Sequence, residues 1–89
     1  MLSKKIMIRN HIGLHARPAA MIANEALKLH SQVLLRNGHL AADAKNSARV
    51  LALAVNCGDC VELMVSGDDE ADALQAMSRV FDLINSSNC

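Results

Sequence analysis

Two stretches of the chain alternate apolar and polar residues, and each predicts a β-strand with one buried face. Ile6 and Ile8 alternate with polar or less buried positions over residues 5–9, and Val61, Leu63 and Val65 do so over Cys60–Ser66. Side chains in a strand point to opposite faces in turn, so this period of two is typical of a half-buried strand.

A hairpin is predicted between these two strands. The run Gln32–Arg36 is apolar at its centre, and the dipeptide Asn37-Gly38 follows it. Asn-Gly is the strongest short-range hairpin signal, because both residues adopt the positive φ angles that a tight turn needs. The returning strand is expected over His39–Asp43.

Three other segments have apolar residues at helical spacing. The first helix is predicted from about Ala16 to Leu29, with Pro18 in its first turn, where a missing N–H costs nothing. A short helix capped by Asn46 or Ser47 should follow the hairpin. The last helix should begin after the turn Gly67-Asp68-Asp69. Its apolar stripe comprises Ala73, Leu74, Met77, Phe81 and Ile84.

The predicted order is therefore βαββαβα. It favours an α+β fold, an open-faced sandwich in which a four-stranded antiparallel sheet carries three helices on one face. The polar tail Asn85–Cys89 is expected to fray. With 89 residues, the chain has the length of one domain, and residues 1–89 are predicted to form it.

Composition and charge disfavour two classes of function, nucleic-acid binding and membrane insertion. Nine basic and nine acidic side chains give a formal net charge of zero, and the single aromatic residue is Phe81. Nucleic-acid binding normally requires a cationic surface, so it is disfavoured. No apolar run reaches the about 20 residues of a membrane span, and no signal peptide is apparent. We expect a cytoplasmic protein with no membrane insertion.

The segment Gly13–Ala20 carries the candidate chemistry. His15 is predicted at the start of a helix, where the first N–H groups lack partners and the helix dipole is positive. An anion is stabilised there without a metal, and the Arg17 guanidinium can bind phosphate oxygens in pairs. Imidazole is a competent nucleophile towards phosphorus. From the residues alone, an ordinary capping histidine and a solvated arginine remain the alternative.

The run Gly13-Leu14-His15-Ala16-Arg17-Pro18-Ala19 closely resembles the signature of the HPr family of phosphocarriers. The similarity continues along nearly the whole chain, through the Asn37-Gly38 hairpin and Ala44-Lys45 to the turn at Gly58 and the opening of the last helix at residues 67–70. This resemblance implies a phosphocarrier of the phosphotransferase system with the βαββαβα fold.

The resemblance also implies a route for the phosphoryl group. Enzyme I, charged by phosphoenolpyruvate, would donate it to Nδ1 of His15, and an enzyme IIA would accept it, in sugar uptake or in a nitrogen-type regulatory branch. Arg17 would screen the phosphate charge, and the backbone N–H groups of Ala16 and Arg17 would contact it. No cofactor and no metal are implied, and the chain would be a carrier, not an enzyme. A monomer that docks transiently fits this role.

Two features of the short second helix depart from the sugar-transport branch. That branch begins the helix with a regulatory serine, where this chain has Asn46 or, with a shift of one residue, Ser47. The helix also belongs to the family's docking surface, which implies partner contacts at Ser47, Ala48, Arg49 and Leu51. Small side chains at two of these positions suggest a different set of partners, because a few well-buried anchors supply most binding energy.

Cys57-Gly58-Asp59-Cys60 is a C-x-x-C motif with two possible functions. It could be a redox dithiol or half of a zinc site, but it precedes a strand at a turn, and no second pair supplies the remaining zinc ligands. The sequence favours two buried, inert cysteines beside a turn. An odd count, with Cys89, fits reduced thiols.

Three hypotheses therefore stand: a phosphoryl carrier using His15, a regulatory protein-binding module of the same fold, and a thiol-redox protein using Cys57 and Cys60. The remaining histidines have simpler explanations. We expect His11 and His39 to be solvated and His30 to complement the negative end of the first helix. The acidic run Asp68–Asp72 is expected to serve the dipole of the last helix.

Overall fold

A computed structural model of the chain describes residues 1–11 and 13–86. Their order is βαββαβα, as the sequence predicts. The elements are β1 (Leu2–Met7), α1 (Ala16–Ala26), β2 (Gln32–Asn37), β3 (Leu40–Asp43), α2 (Ser47–Ala52), β4 (Cys60–Ser66) and α3 (Glu70–Ser86).

The four strands form one antiparallel sheet in the order β1-β4-β2-β3. The central strand β4 pairs with β1 on one side and with β2 on the other, so Leu63 lies opposite Lys4 and opposite Leu35. The Asn37–Leu40 pair closes the β2–β3 hairpin, so the two turn residues are Gly38 and His39, one residue later than the predicted Asn37-Gly38. Only Gly38 of these three residues has a positive φ angle, +65°, so Asn37 stays in the ladder and β3 begins at Leu40 instead of His39.

One face of the sheet forms the floor of the hydrophobic core. Its central side chains Val33, Leu35, Val61, Leu63 and Val65 are completely buried. Helix α1 packs against both α2 and α3, and α3 also covers β1 and β4. The predicted stripe of α3 is confirmed: Ala73, Met77, Phe81 and Ile84 are buried, and Leu74 packs partly buried against them. The open-faced sandwich is the fold of this chain.

Helix α1 ends three residues earlier than predicted, at Ala26 instead of Leu29. The apolar spacing continues, but the backbone tightens: Lys28 N–H donates to the Glu25 carbonyl and Leu29 N–H to the Ala26 carbonyl, each at 3.1 Å. Such i→i+3 bonds satisfy the last carbonyls of a helix in place of another α-turn. The Lys45 ammonium donates a hydrogen bond to the Leu29 carbonyl at 3.0 Å.

Strand β1 starts earlier than predicted and leaves regular pairing at Met7, because the opposite strand has an extra residue. Ile8 N–H donates to the Asp59 carbonyl (2.9 Å), while the Ile8 carbonyl accepts from Gly58 N–H (2.7 Å). Gly58 and Asp59 thus together oppose the single residue Ile8, and Gly58 has a φ angle of +95°. This arrangement is a G1 β-bulge, which requires glycine at that position.

The predicted frayed tail is wrong for Asn85 and Ser86, which belong to α3. The Asn85 amide donates to the Met7 carbonyl (3.0 Å), and its oxygen accepts from Arg9 N–H (2.9 Å). The end of α3 is therefore tied to the end of β1. Residues 87–89 of the tail lie outside the described part of the chain.

Asp69 precedes α3, as predicted, but its side chain serves another segment. One carboxylate oxygen accepts from His30 N–H (3.0 Å), and the other accepts from Ser31 N–H (2.9 Å) and from the Ser31 hydroxyl. These bonds, above all that from the Ser31 hydroxyl, hold the pKa of Asp69 below its usual value. Asp69 thereby ties the α1–β2 connection to the start of α3.

The Asp69 network should make stability sensitive to acid. A carboxylate whose pKa is lower in the folded state stabilises the fold above its unfolded pKa of about 3.9, and this contribution disappears as the pH falls through the folded value. Asp69→Asn should therefore be less stable than the wild type at pH 7, with a smaller difference at about pH 3. Urea unfolding at both pH values measures this. Asp68→Asn is the control, and an Asp69→Asn deficit of equal size at both pH values would contradict the assignment.

Candidate functional site

His15 stands at the N-cap of α1, with an extended backbone (φ −84°, ψ −169°). Its carbonyl accepts the first helical hydrogen bond from Ala19 N–H at 2.9 Å. The imidazole makes no capping hydrogen bond to the helix, and the residue is exposed. The backbone therefore positions His15 while its ring nitrogens stay available to another molecule.

The first turn of α1 presents two backbone donors beside this imidazole. Ala19 N–H is bonded to His15, and Pro18 has no N–H. Ala16 and Arg17 N–H have no hydrogen-bond partner within residues 1–11 and 13–86. Both residues are exposed. Free N–H groups at a helix start form an anion-binding site.

The charge at this helix end is positive. The first turn of α1 contains no acidic residue, so no carboxylate neutralises the helix dipole there. Arg17 is exposed and makes no salt bridge to any residue that the structure describes. The helix end and the guanidinium can therefore act on the same anion.

The loop before His15 is clamped to the loop that follows α2. Leu14 N–H donates to the Val55 carbonyl at 3.0 Å, and the Leu14 side chain is buried. Gly13 has φ +79°, and a Cβ there would lie 2.3 Å from the Val55 oxygen. The position therefore requires glycine for its dihedral angle and for the close approach of the two backbones. This contact leaves no signal in the local sequence, because Val55 lies 42 positions from Gly13.

The cap of α2 is Asn46. Its side-chain oxygen accepts from Arg49 N–H at 3.2 Å, and α2 then starts at Ser47. Of the two capping candidates in the sequence, the amide takes the role and leaves the Ser47 hydroxyl exposed at the first helical position. The remaining candidate docking residues Ala48, Arg49 and Leu51 are also exposed, whereas Val50 is buried. Because α2 packs against α1, these side chains lie on the helical layer that contains His15.

The two cysteines of the C-x-x-C motif are exposed, so the prediction of buried side chains is wrong. Cys57 lies in a surface turn, and Cys60 alternates with the buried Val61 and so lies on the open face of the sheet. Cys89 lies outside the described residues. No group of three His, Cys, Asp or Glu side chains within residues 1–11 and 13–86 is placed to hold a metal ion.

The other three histidines are exposed. This matches the expectation for His11 and His39. His30 follows the end of α1, where it contributes a backbone N–H to Asp69. Within the described part of the chain, no helix has the length and apolar character required to span a bilayer.

Comparison with known proteins adds three matches. A family model described as "PTS HPr component phosphorylation site" matches residues 2–82. The phosphocarrier protein HPr of Treponema pallidum is 40% identical over 81 residues, which cover 91% of this chain and 92% of that protein. A crystal structure of HPr from Thermoanaerobacter tengcongensis superposes with a TM-score of 0.91 at 32% identity and covers both chains completely.

A third relative has a described assembly. The crystal structure of Bacillus subtilis Crh, a catabolite repression protein whose structure is described as a dimer with a swapped domain, matches with a TM-score of 0.74 and 33% identity. The match covers 94% of this chain and 97% of that one.

Substituting Gly13 tests the clamp that positions the site. In Gly13→Ala, the left-handed backbone costs about 1–2 kcal/mol, and the overlap with Val55 adds about 1–3 kcal/mol. Denaturant unfolding should show a total loss near 3 kcal/mol. Gly38→Ala is the matched control, since φ there is +65° but a Cβ meets nothing within 4 Å. Equal losses in the two variants would show that the approach to Val55 is unimportant.

Proposed function

Because this chain belongs to the HPr family of phosphocarrier proteins, we propose that His15 is the residue on which it carries the phosphoryl group. The chain is a phosphocarrier, and the assignment to one residue is our proposal. The observation that supports it most is the exposed imidazole, which caps no helical N–H, beside two N–H groups at the start of α1 that have no partner among the described residues.

The transfer needs only side-chain chemistry. An unprotonated ring nitrogen of His15, which the family resemblance identifies as Nδ1, attacks the phosphorus of a phosphohistidine on the donor protein. The new N–P bond forms as the donor's N–P bond breaks, and the donor imidazole keeps the released electron pair. Nothing is oxidised or reduced, and no cofactor takes part. The protein is regenerated when an acceptor histidine repeats the exchange, so it acts as a carrier and not as an enzyme.

The start of α1 can stabilise the negative charge of the phosphoryl group. Ala16 and Arg17 N–H can donate to two phosphoryl oxygens, and the guanidinium can reach a third. Hydrogen bonds to charged groups contribute about 1.5–3 kcal/mol each. This is enough to hold the group in place, while the exposure of the site leaves the phosphorus open to the next nucleophile.

The partners are proteins of the phosphotransferase system. Within it, we assign enzyme I as the donor and an enzyme IIA as the acceptor. The docking surface on α2 comprises Ser47, Ala48, Arg49 and Leu51. It lies beside α1, so a partner bound there can approach His15 with its own histidine.

Regulation at the start of α2 differs from that of a chain with a serine cap. Asn46 has no hydroxyl group, so a serine kinase cannot modify it, although it caps the helix as serine would. Ser47 is the hydroxyl closest to this position and is our candidate for any modification there. The regulatory binding module remains the alternative, and the presence of His15 argues against it.

Three further assignments complete the proposal. Residues 1–89 act as one domain, the protein works as a monomer, and it does so in the cytoplasm, where thiols are reduced. Sedimentation of the unphosphorylated protein tests the second assignment directly, since the Crh relative forms a swapped dimer.

Phosphorylation by enzyme I tests His15. The wild type, incubated with enzyme I and labelled phosphoenolpyruvate, should gain an acid-labile label, because phosphohistidine is a phosphoramidate. His15→Ala should gain none. His11→Ala is the matched control, since it is an exposed histidine in the same loop, and it should keep the label. Label that persists in folded His15→Ala would refute the proposal.

Arg17 variants separate charge from geometry in the same assay. Arg17→Ala should slow labelling about 10-fold or more, the equivalent of one lost charge-assisted hydrogen bond. Arg17→Lys should recover part of this loss, because lysine restores the charge but not the paired donors.

Docking is tested by Leu51→Ala. Truncating a buried anchor at an interface typically costs about 1–2 kcal/mol, so KM for the transfer from enzyme I should rise several-fold with little change in kcat. Leu83→Ala is the control, since Leu83 is an exposed leucine on α3. An equal effect of both substitutions would place the docking surface elsewhere.

A further inference from the structure

The exposed dithiol of Cys57 and Cys60 has no role in phosphoryl transfer. Both thiols are free and exposed. Cys57 occupies the turn closed by Asp59 N–H and the Asn56 carbonyl at 3.0 Å, and Cys60 is the first residue of β4. Two accessible thiols on one turn are the minimum requirement for an internal disulfide.

Cys57 and Cys60 both lie against the end of β1. Cys57 is the second residue of the turn Asn56–Asp59, and Gly58 and Asp59 together oppose the single residue Ile8. Cys60 pairs with Met7, and the Cys57 thiol donates to the Arg9 carbonyl at 3.7 Å. The turn and the bulge therefore place both cysteines beside the same short segment, residues 7–9.

A tight turn is a suitable place for a disulfide. The turn Asn56–Asp59 is closed by a hydrogen bond, so its end residues lie within about 7 Å of each other, and disulfides span Cα separations of about 4.4–6.8 Å. The disulfide can therefore close with a small adjustment of the turn, in which Gly58 supplies conformational freedom.

The surroundings of Cys60 favour an anionic reagent. Cys60 opens onto a shallow depression that Lys5, Arg36, Gly38 and Glu62 also line. Arg36 is paired with Glu62 at 2.6 Å, whereas Lys5 makes no salt bridge within the described part of the chain. Gly38, across the strand, has no side chain to cover the thiol. A small disulfide with carboxylate groups can therefore reach Cys60 and find a cation beside it.

We propose that Cys57 and Cys60 form a dithiol that exchanges with low-molecular-weight, anionic disulfides. The Cys60 thiolate attacks one sulfur of the reagent, which forms a mixed disulfide and releases one thiolate. Cys57, after losing its proton, then attacks Cys60 and releases the second thiolate. The protein loses two protons and two electrons, and the reagent takes them up to become two thiols.

Oxidation of the two cysteines should alter the conformation of the loop that precedes His15. The turn continues from Val55 and Asn56, which are clamped to Gly13 and Leu14. A disulfide that tightens the turn moves the backbone against which this loop rests. The Leu14 amide, which donates to Val55, is the closest reporter of such a movement.

The experiment uses the full chain in glutathione buffers of defined ratio. Mass spectrometry of unreduced digests should find a 57–60 disulfide and the loss of two hydrogens. If the bulge positions the thiols, the equilibrium constant for forming the 57–60 disulfide should be about tenfold larger in the folded protein than in protein unfolded by guanidinium. In a Cys89→Ser background, Cys57→Ser should accumulate the mixed disulfide on Cys60, and Cys60→Ser should react more slowly. The Leu14 amide resonance should shift on oxidation.

Each part can contradict the proposal without involving phosphorylation. Mixed disulfides that accumulate in the wild type without closing would show that the cysteines do not meet. Equal equilibrium constants for disulfide formation in the folded and unfolded protein would show that the bulge does not position the two thiols. Failure of the His15 assay would leave these results unaffected, because no measurement here uses enzyme I.

Discussion

Burial of one face of the sheet is the constraint on which the rest of the structure depends. Val33 and Leu35 of β2 and Val61, Leu63 and Val65 of β4 are inaccessible because the helical layer covers this face. A chain with one aromatic residue must fill this layer with small aliphatic side chains, so the helices have to approach the sheet closely. The loops that connect sheet and helices are therefore held at fixed places, and the loop that ends at His15 is one of them.

The positioning of His15 follows from this constraint. Leu14 is buried in the core and bonded to Val55, and Gly13 lets the two backbones touch. On the other side, the first turn of α1 fixes the carbonyl of His15. The His15 side chain is thus exposed between two anchored neighbours, and in the role we propose this orients the imidazole with little loss of freedom on docking a partner.

Much of this could be predicted from the sequence, since the information was local. Alternation, helical spacing and the Asn-Gly signal identified every strand and helix, and the run from Gly13 to Ala19 identified the candidate site. The errors arise where particular backbone hydrogen bonds override the regular pattern. The end of α1 depends on the i→i+3 bonds at Glu25 and Ala26, and Cys57 lies in an exposed turn beside the bulge that Gly58 and Asp59 form opposite Ile8. Neither leaves a periodic signal in the sequence.

The three helix starts explain why a transferable anion belongs at only one of them. Helix α3 has Glu70 and Asp72 in its first turn, and these carboxylates already occupy its positive end. Helix α2 is short and is capped by the side chain of Asn46. The first turn of helix α1 has no carboxylate, its N-cap residue makes no side-chain capping hydrogen bond, and Pro18 removes one donor that would otherwise need a partner. In the role we propose for His15, this uncompensated positive charge would stabilise the phosphoryl group, and two backbone donors with one arginine would hold it weakly enough for the next protein to remove it.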